Sequence, residues 1–250
     1  METMKVNDYG MLCTEMYECL HAQAPSDELA FYLSYATKGA RILEALCGSG
    51  RFLVPFLERG YAIEGLDASP EMLAKLKAKA PQAVVYEANL TTYTSEARYD
   101  YIFVSSGSMS LFTDEAVCLK VLRTLKELLA PSGVLVFAVD TVANRCVDDV
   151  SYQVTAEVPL AKDKRLVLKS KNRYDVATQT QFSPGIYELY AGDTFLQTET
   201  MDFQTHLYAY GEMEHHLQIL GFTDVYTYTD FDKTPATDDG AEMFLFECRC

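Results

Sequence analysis

Arg41-Ile-Leu-Glu-Ala-Leu-Cys-Gly-Ser-Gly-Arg51, followed by Tyr61-Ala-Ile-Glu-Gly-Leu-Asp-Ala-Ser-Pro-Glu-Met-Leu73, decides the fold of this 250-residue chain. Ile42 and Leu43 end an apolar run that reads as a strand buried on both faces, as parallel strands are. Gly48 and Gly50 permit a sharp turn and keep side chains away from whatever the main chain approaches. Phe52, Leu53, Phe56 and Leu57 then recur at helical spacing, and Arg59-Gly60 supplies the stop. Tyr61 to Leu66 is a second short strand, ended by Asp67. Strand, glycine turn, helix, then a strand closed by an acid builds a ligand site at the carboxyl ends of adjacent parallel strands. A carboxylate at Asp67 can accept two hydrogen bonds from a ribose diol.

The glycines alone do not say which ligand. A dinucleotide fingerprint has a third glycine, and here that position is Leu53. No phosphate-binding lysine follows the turn, which argues against a P-loop. Glu44 ends the first strand, just before the turn. An acid there repels a diphosphate and suits a ligand carrying an ammonium group and a sulfonium.

On these residues the chain resembles class I S-adenosylmethionine-dependent methyltransferases, and among them small-molecule enzymes with E-x-x-C-G-S-G-R and G-x-D-x-S-P-E-M-L. The resemblance is specific over about Arg41 to Asp140 and looser over the last third. The chain departs from the family at Leu46, where glycine is usual. The resemblance implies an α/β, Rossmann-like, doubly wound seven-stranded sheet in the order 3-2-1-4-5-7-6, its seventh strand antiparallel. It implies S-adenosyl-L-methionine as cofactor. The residues expected to hold it are Glu44, Ala45, Leu46, Cys47, Gly48, Gly50, Arg51, Asp67, Ala68, Met72, Asn89, Leu90, Ser105 and Ser106. Asn89 matches the position that receives the adenine amino group in relatives. Read alone, an Asn after a strand is a turn residue.

Four segments follow. Residues 1–40 carry Tyr9, Met11, Leu12, Met16, Tyr17 and Leu20 at helical spacing, and Ser26-Asp27-Glu28 opens a second helix through about Ala36. They read either as a helical lid or as cover for a sheet edge. Residues 41–150 are the cofactor-binding core. There Ser69-Pro70-Glu71 starts a helix, Ala83 to Tyr86 and Tyr99 to Val104 are strands, and Thr113-Asp114-Glu115 caps a long helix. Pro131-Ser-Gly133 reads as a turn before a fifth strand, Val134 to Val139. Residues 151–210 alternate instead, with hairpin turns at Lys162-Asp-Lys and Ala191-Gly-Asp, and read as one inserted antiparallel sheet. That sheet is expected to cover the acceptor site or to make a dimer contact. Residues 211–250 give a helix ended by Gly221 and two last strands.

Composition narrows the partners. With 36 acids against 21 bases the net charge is −15. Nucleic-acid binders need a basic face, and only Lys162 to Arg173 gathers bases, so neither nucleic acid nor membrane is expected as a partner. A small-molecule acceptor is expected, and a homodimer is allowed. Seven cysteines without C-x-x-C or zinc spacing read as free thiols, and no metal is expected. The chain shows neither a signal-peptide pattern nor an apolar run of membrane-spanning length, so a cytoplasmic location is expected.

The chemistry is methyl transfer in which the cofactor carries the reactivity. No catalytic residue is assigned. Ser110 occupies the position where many relatives have a histidine. His206, Tyr9, Tyr17, Arg173, Tyr174 and Tyr208 are candidates for acceptor contact, each with a plain structural alternative. Arg51 can hold Glu44 or an acceptor carboxylate. His215 and His216 cannot share one helix face, which speaks against a metal role. The alternatives are a protein that binds the cofactor or its demethylated product without turnover, and a methyltransferase acting on protein. An oxidoreductase and a nucleic-acid methyltransferase are disfavoured by Glu44, Leu53 and the charge.

Overall fold

A computed structural model of the chain describes residues 6–250. The first five residues of the expected N-terminal lid lie outside the described residues. In chain order, the first elements are α1 (Met11–Leu20), α2 (Ser26–Leu33), β1 (Arg41–Ala45), α3 (Leu53–Glu58) and β2 (Ala62–Asp67). Then come α4 (Pro70–Lys79), β3 (Val84–Glu87), β4 (Tyr99–Val104), α5 (Glu115–Leu128) and β5 (Leu129–Asp140). Seven strands follow: β6 (Gln153–Leu160), β7 (Lys164–Ser170), β8 (Arg173–Asp175), β9 (Thr180–Phe182), β10 (Gly185–Ala191), β11 (Thr194–Met201) and β12 (Gln204–His206). The chain ends with α6 (Glu212–Ile219), β13 (Asp224–Tyr228) and β14 (Met243–Arg249).

These elements form two compact units. The larger holds Gln23–Asn144 and His206–Cys250. Its sheet runs β13-β14-β5-β4-β1-β2-β3. β1, β2, β3, β4 and β5 are parallel, and β14 is antiparallel to both β5 and β13. This is the expected order, 3-2-1-4-5-7-6. Ile42, Leu43, Ile102, Phe103, Val136 and Phe137 are fully buried, as strands covered on both faces must be. On one face Phe56, Phe103 and Tyr101 stack at 5.1 and 5.3 Å beside Tyr32 of α2. On the other, the apolar stripe of α5 (Cys118, Val121, Leu122, Leu125) packs with Phe137, Phe244 and Phe246.

Local sequence sets the ends of these elements. Ser69 Oγ accepts from Met72 N at 3.1 Å and Asp114 Oδ1 from Val117 N at 2.9 Å, the two expected caps. Gly60 and Gly221 end α3 and α6 at φ +73° and +77°, where a side chain would be strained. One reading is corrected. Pro131-Ser-Gly133 does not separate α5 from the fifth strand; β5 starts at Leu129, and those residues form an irregularity where Tyr99 pairs with Leu129 and Tyr101 with Val134. Gly133 is needed there because a Cβ would lie 2.9 Å from Tyr99 O.

The smaller unit holds the segment up to Ala22 and Arg145–Thr205. It contains two sheets where one was expected: a four-stranded sheet, β11-β10-β7-β6, and a three-stranded one, β12-β9-β8. Both hairpin turns are in place, with Lys162 and Asp163 at φ +62° and +57° and Gly192 at φ +52°. α1 packs on the larger of these sheets through Leu12, Cys13 and Met16 against Leu166, Tyr187 and Met201. Glu199 caps α1, accepting from Leu12 N and Cys13 N, each at 3.0 Å. The segment read as one N-terminal lid therefore divides between the units after Ala22.

Candidate functional site

The carboxyl ends of β1, β2, β4 and β5 lie along one edge of the large sheet, and the chain turns away from each end, passing through a 3-10 turn at Met109–Leu111 after β4 and at Val142–Asn144 after β5. After β1 the backbone turns through Leu46 (φ +58°), Gly48 (φ +51°) and Gly50 (φ +83°). Three left-handed residues in five fold the loop back over the strand ends. Gly50 has to be glycine, because a Cβ would lie 2.7 Å from Leu76 Cγ. Gly48 differs: a Cβ there would meet nothing nearer than Met72 Sδ at 4.0 Å. The space over Gly48 is open, and the backbone can approach a ligand. Leu46 takes the conformation that a glycine adopts without penalty, which is the physical reason for the family's usual residue. Its side chain is retained by packing against the α5 face of the core.

Asp67 ties this loop to β2. Its Oδ2 accepts from Gly48 N at 2.7 Å and its Oδ1 from Ser69 N at 2.9 Å. A carboxylate offers about four lone-pair sites, so it can hold the loop and still accept from a diol. Burial raises its pKa, and the amides of Ser69, Gly48 and Ala68 oppose that rise. Cys47 N donates to Leu66 O at 3.0 Å, completing the seam between turn and strand. The Cys47 thiol is buried and its pKa is pushed well up, so it is inert.

Glu44 is the least satisfied group of the edge. It is 1% exposed. Oε1 accepts from Ser105 Oγ at 3.3 Å, and Oε2 is buried without a hydrogen-bond partner. Burial holds its pKa well above the usual carboxylate range; Ser105, the Arg51 charge and the Leu53 amide only partly offset this. A buried carboxylate with an orphaned oxygen is destabilising unless a cation arrives.

Two further groups complete the edge. Arg51 Nη2 donates to Ser106 Oγ, and its guanidinium lies 5.0 Å from the Phe52 ring. Glu28, in the first turn of α2, accepts from Ser106 N at 2.8 Å and Ser106 Oγ at 3.1 Å. Burial raises the Glu28 pKa, with the Arg51 charge the largest opposing influence. Glu28 was not legible as a site residue, since an acid in a helix's first turn reads as a dipole partner. Its partner Ser106, one of the expected residues, and Gly107 take φ +57° and +68°.

The expected residues thus divide. Glu44, Cys47, Gly48, Arg51, Asp67, Met72, Ser105 and Ser106 are linked by the contacts above. Ala45 is buried in β1, Ala68 is exposed beside Asp67, and Leu90 is a core side chain. Asn89 is exposed, and its Oδ1 accepts from Thr91 N at 2.8 Å and Thr91 Oγ1 at 2.7 Å. That is the turn role; the oxygen expected to receive an adenine amino group is committed to Thr91, and the amide nitrogen is the remaining polar end. Ala88 N donates to Asp67 O at 2.9 Å, which sets this turn next to the β2 end.

Ser110 and the candidate acceptor contacts each have a partner within the chain. Ser110 is fully buried and accepts from Asp140 N at 2.8 Å. Tyr208 lies in the core with its hydroxyl 3.3 Å from Cys118 Sγ. His206 Nε2 is 2.6 Å from Glu212 Oε1, and His216 is buried while His215 is exposed. In the smaller unit, Tyr9 meets Tyr17 edge-on at 6.4 Å, Arg173 stacks on Phe182, and Tyr174 lies under Arg145. Among the described residues no three His, Cys, Asp or Glu side chains gather as a metal would require, and no helix is long and apolar enough to cross a membrane.

Known proteins give the same reading of the core. Residues 42–133 match the family described as a methyltransferase domain. A protein of Geobacillus sp. (strain WCH70) that carries a methyltransferase name is 29% identical over 133 residues, covering 49% of this chain and 54% of that one. The dTDP-3-amino-3,6-dideoxy-alpha-D-glucopyranose N,N-dimethyltransferase of Streptomyces fradiae is 24% identical over 136 residues, covering 52% of this chain and 53% of that one. The chain thus spans about half the length of the curated relatives it matches. The solved sugar N-methyltransferase KedS8 from Streptoalloteichus sp. ATCC 53650 has the same fold, with a TM-score of 0.75 at 16% identity, covering 100% of this chain and 98% of that one. Matched segment and strand order agree: residues 42–133 are similar to a methyltransferase domain, and the seven-stranded sheet around them has the order that the class I methyltransferase resemblance implies.

Proposed function

We propose that the chain transfers a methyl group from S-adenosyl-L-methionine directly to a small-molecule acceptor. The single observation that carries this reading is Glu44 Oε2, a buried carboxylate oxygen with no partner at the mouth of the glycine turn. A diphosphate would make that site worse, and an ammonium group would satisfy it. The open space over Gly48 and the remaining acceptor capacity of Asp67 fit the rest of the cofactor. Glu44 would take the amino group, Asp67 the ribose diol, and the Gly48 backbone would approach the ligand closely. The bound cofactor supplies an electrophilic methyl group, so the protein needs no nucleophile of its own. This chain's residues position the partners and keep water out, which is worth roughly 7–11 kcal/mol in favourable cases. Two of the proteins named above, the Streptomyces fradiae dimethyltransferase and KedS8, have names that specify an amino sugar or a sugar, which supports a small acceptor.

The test is to incubate the chain with S-adenosylmethionine and a library of small amines and alcohols, and to follow S-adenosylhomocysteine by mass spectrometry. Acceptor-dependent formation of S-adenosylhomocysteine is expected. Tight cofactor binding with no turnover on any acceptor would replace this reading with that of a binding protein.

A further inference from the structure

We propose that Asp140, the last residue of β5, is the anchor for a positively charged amino group on the acceptor. The inference rests on the methyltransferase reading and assigns the acceptor side of the same edge.

The strand order gives the first reason. Glu44 and Asp67 end β1 and β2, while Asp140 ends β5 on the far side of β4. It stands away from the cofactor cradle but on the same edge. The second reason is local geometry. The Asp140 backbone is held at both polar groups: N donates to Ser110 Oγ at 2.8 Å, and O accepts from Tyr208 N at 2.9 Å. The side chain is fixed in place but hardly used. Its one hydrogen bond among the described residues comes from Asn144 Nδ2 at a long 3.4 Å. The carboxylate faces Gly107, where a Cβ would lie 3.2 Å from Oδ1 and 3.4 Å from Oδ2. Glycine, at φ +68°, keeps a side chain from crowding the carboxylate there.

Charge gives the third reason. The edge collects Glu28, Glu44, Asp67 and Asp140, and burial raises all four pKa values. Arg51 is the cation that opposes this rise, and it does so for Glu28 and Glu44. A cofactor with one net positive charge answers part of the deficit, at Glu44. Asp140 remains half-buried, with no cation beside it among the described residues. A carboxylate in that state favours a cation delivered by the second ligand. The acceptor's own ammonium is the fitting partner.

The experiment uses the full chain saturated with S-adenosylhomocysteine, titrated with matched probes: cyclohexylamine against cyclohexanol, and 3-amino-3-deoxyglucose against glucose. The amine of at least one pair should bind tenfold or more tightly than its alcohol. Asp140→Asn should abolish that preference while leaving S-adenosylhomocysteine affinity within twofold, which also reports that the variant folds. No amine preference in either pair, or a preference that survives in Asp140→Asn, overturns the proposal. Failure of S-adenosylhomocysteine to bind the unaltered chain is a different result and refutes the cofactor reading instead. If Asp140→Asn does not fold, the pH dependence of amine affinity in the unaltered chain decides. Burial sets the Asp140 pKa at about 6 against the Asn144 amide, and no charged group contributes. The groups around it are Gly107, Ser110, Asn144, Tyr208 and, across the β5–β14 pairing, Met243. Amine affinity should therefore fall as pH drops through about 6, and a flat profile refutes the assignment.

Discussion

Glu44 is the residue whose energetics most directly report the site. In the ligand-free chain its pKa lies far above the ordinary 4.5, because burial disfavours the charge. An acid with a raised folded-state pKa lowers stability as pH rises from its unfolded value towards its folded one. Each pH unit in that window costs about 1.4 kcal/mol. Glu44→Gln removes the titration, so the variant should gain stability relative to the parent as pH climbs above 4.5. The same substitution should weaken cofactor binding, since the ammonium loses its charged partner. Denaturation curves from pH 4.5 to 8 check the first part and calorimetry the second; parallel stability profiles would refute it. Leu46 gives a second test at this scale. Leu46→Ala and Leu46→Gly both lose core packing, but only glycine relieves φ +58°. We expect Leu46→Gly to be the more stable of the two by about 1 kcal/mol, the reverse of the usual order. Asp67, Gly48 and Glu44 were legible because their roles follow from sequence order around one turn. Glu28 and Asp140 were not, since each acquires its meaning from a loop that arrives from elsewhere in the chain.

At the level of elements, helix α3 packs closely on β2 without the third loop glycine of a dinucleotide site. The room is made on the strand. A Cβ at Gly65 would lie 2.6 Å from Leu53 Cδ1 and 2.8 Å from Cys47 Sγ. Gly65→Ala should destabilise by roughly 1–3 kcal/mol through overpacking. Adding Leu53→Ala should return part of that loss, so that a double-mutant cycle shows coupling of at least about 0.5 kcal/mol. Strict additivity would mean that the two residues do not share this space. The Ser69 cap of α4, which places Met72 near Gly48, should contribute about 1 kcal/mol, measured with Ser69→Ala. The parallel strands and capped helices were readable because apolar runs, caps and glycine stops are local signals. The small three-stranded sheet was not, because β8, β9 and β12 have three residues each, too short for alternation to show. The β5 irregularity was read as a turn for a similar reason: Pro-Ser-Gly carries the same local signal in a bulge and in a reversal.

On the scale of the whole molecule, 36 acids against 21 bases and a carboxylate-lined edge describe a chain that recruits cations. Binding energy at this edge is also folding energy: S-adenosylhomocysteine at one hundred times its Kd should stabilise the protein by about 2.7 kcal/mol, visible as a raised Tm. The most direct test of the central claim is a pair of calorimetric titrations, S-adenosylhomocysteine and NADH, run on the unaltered chain and on Asp67→Ala. We expect one-site binding of S-adenosylhomocysteine, no heat from NADH, and an affinity loss of about 1–3 kcal/mol in Asp67→Ala as the diol partner and loop clamp disappear. A clear NADH signal with none from S-adenosylhomocysteine would contradict the account at its base.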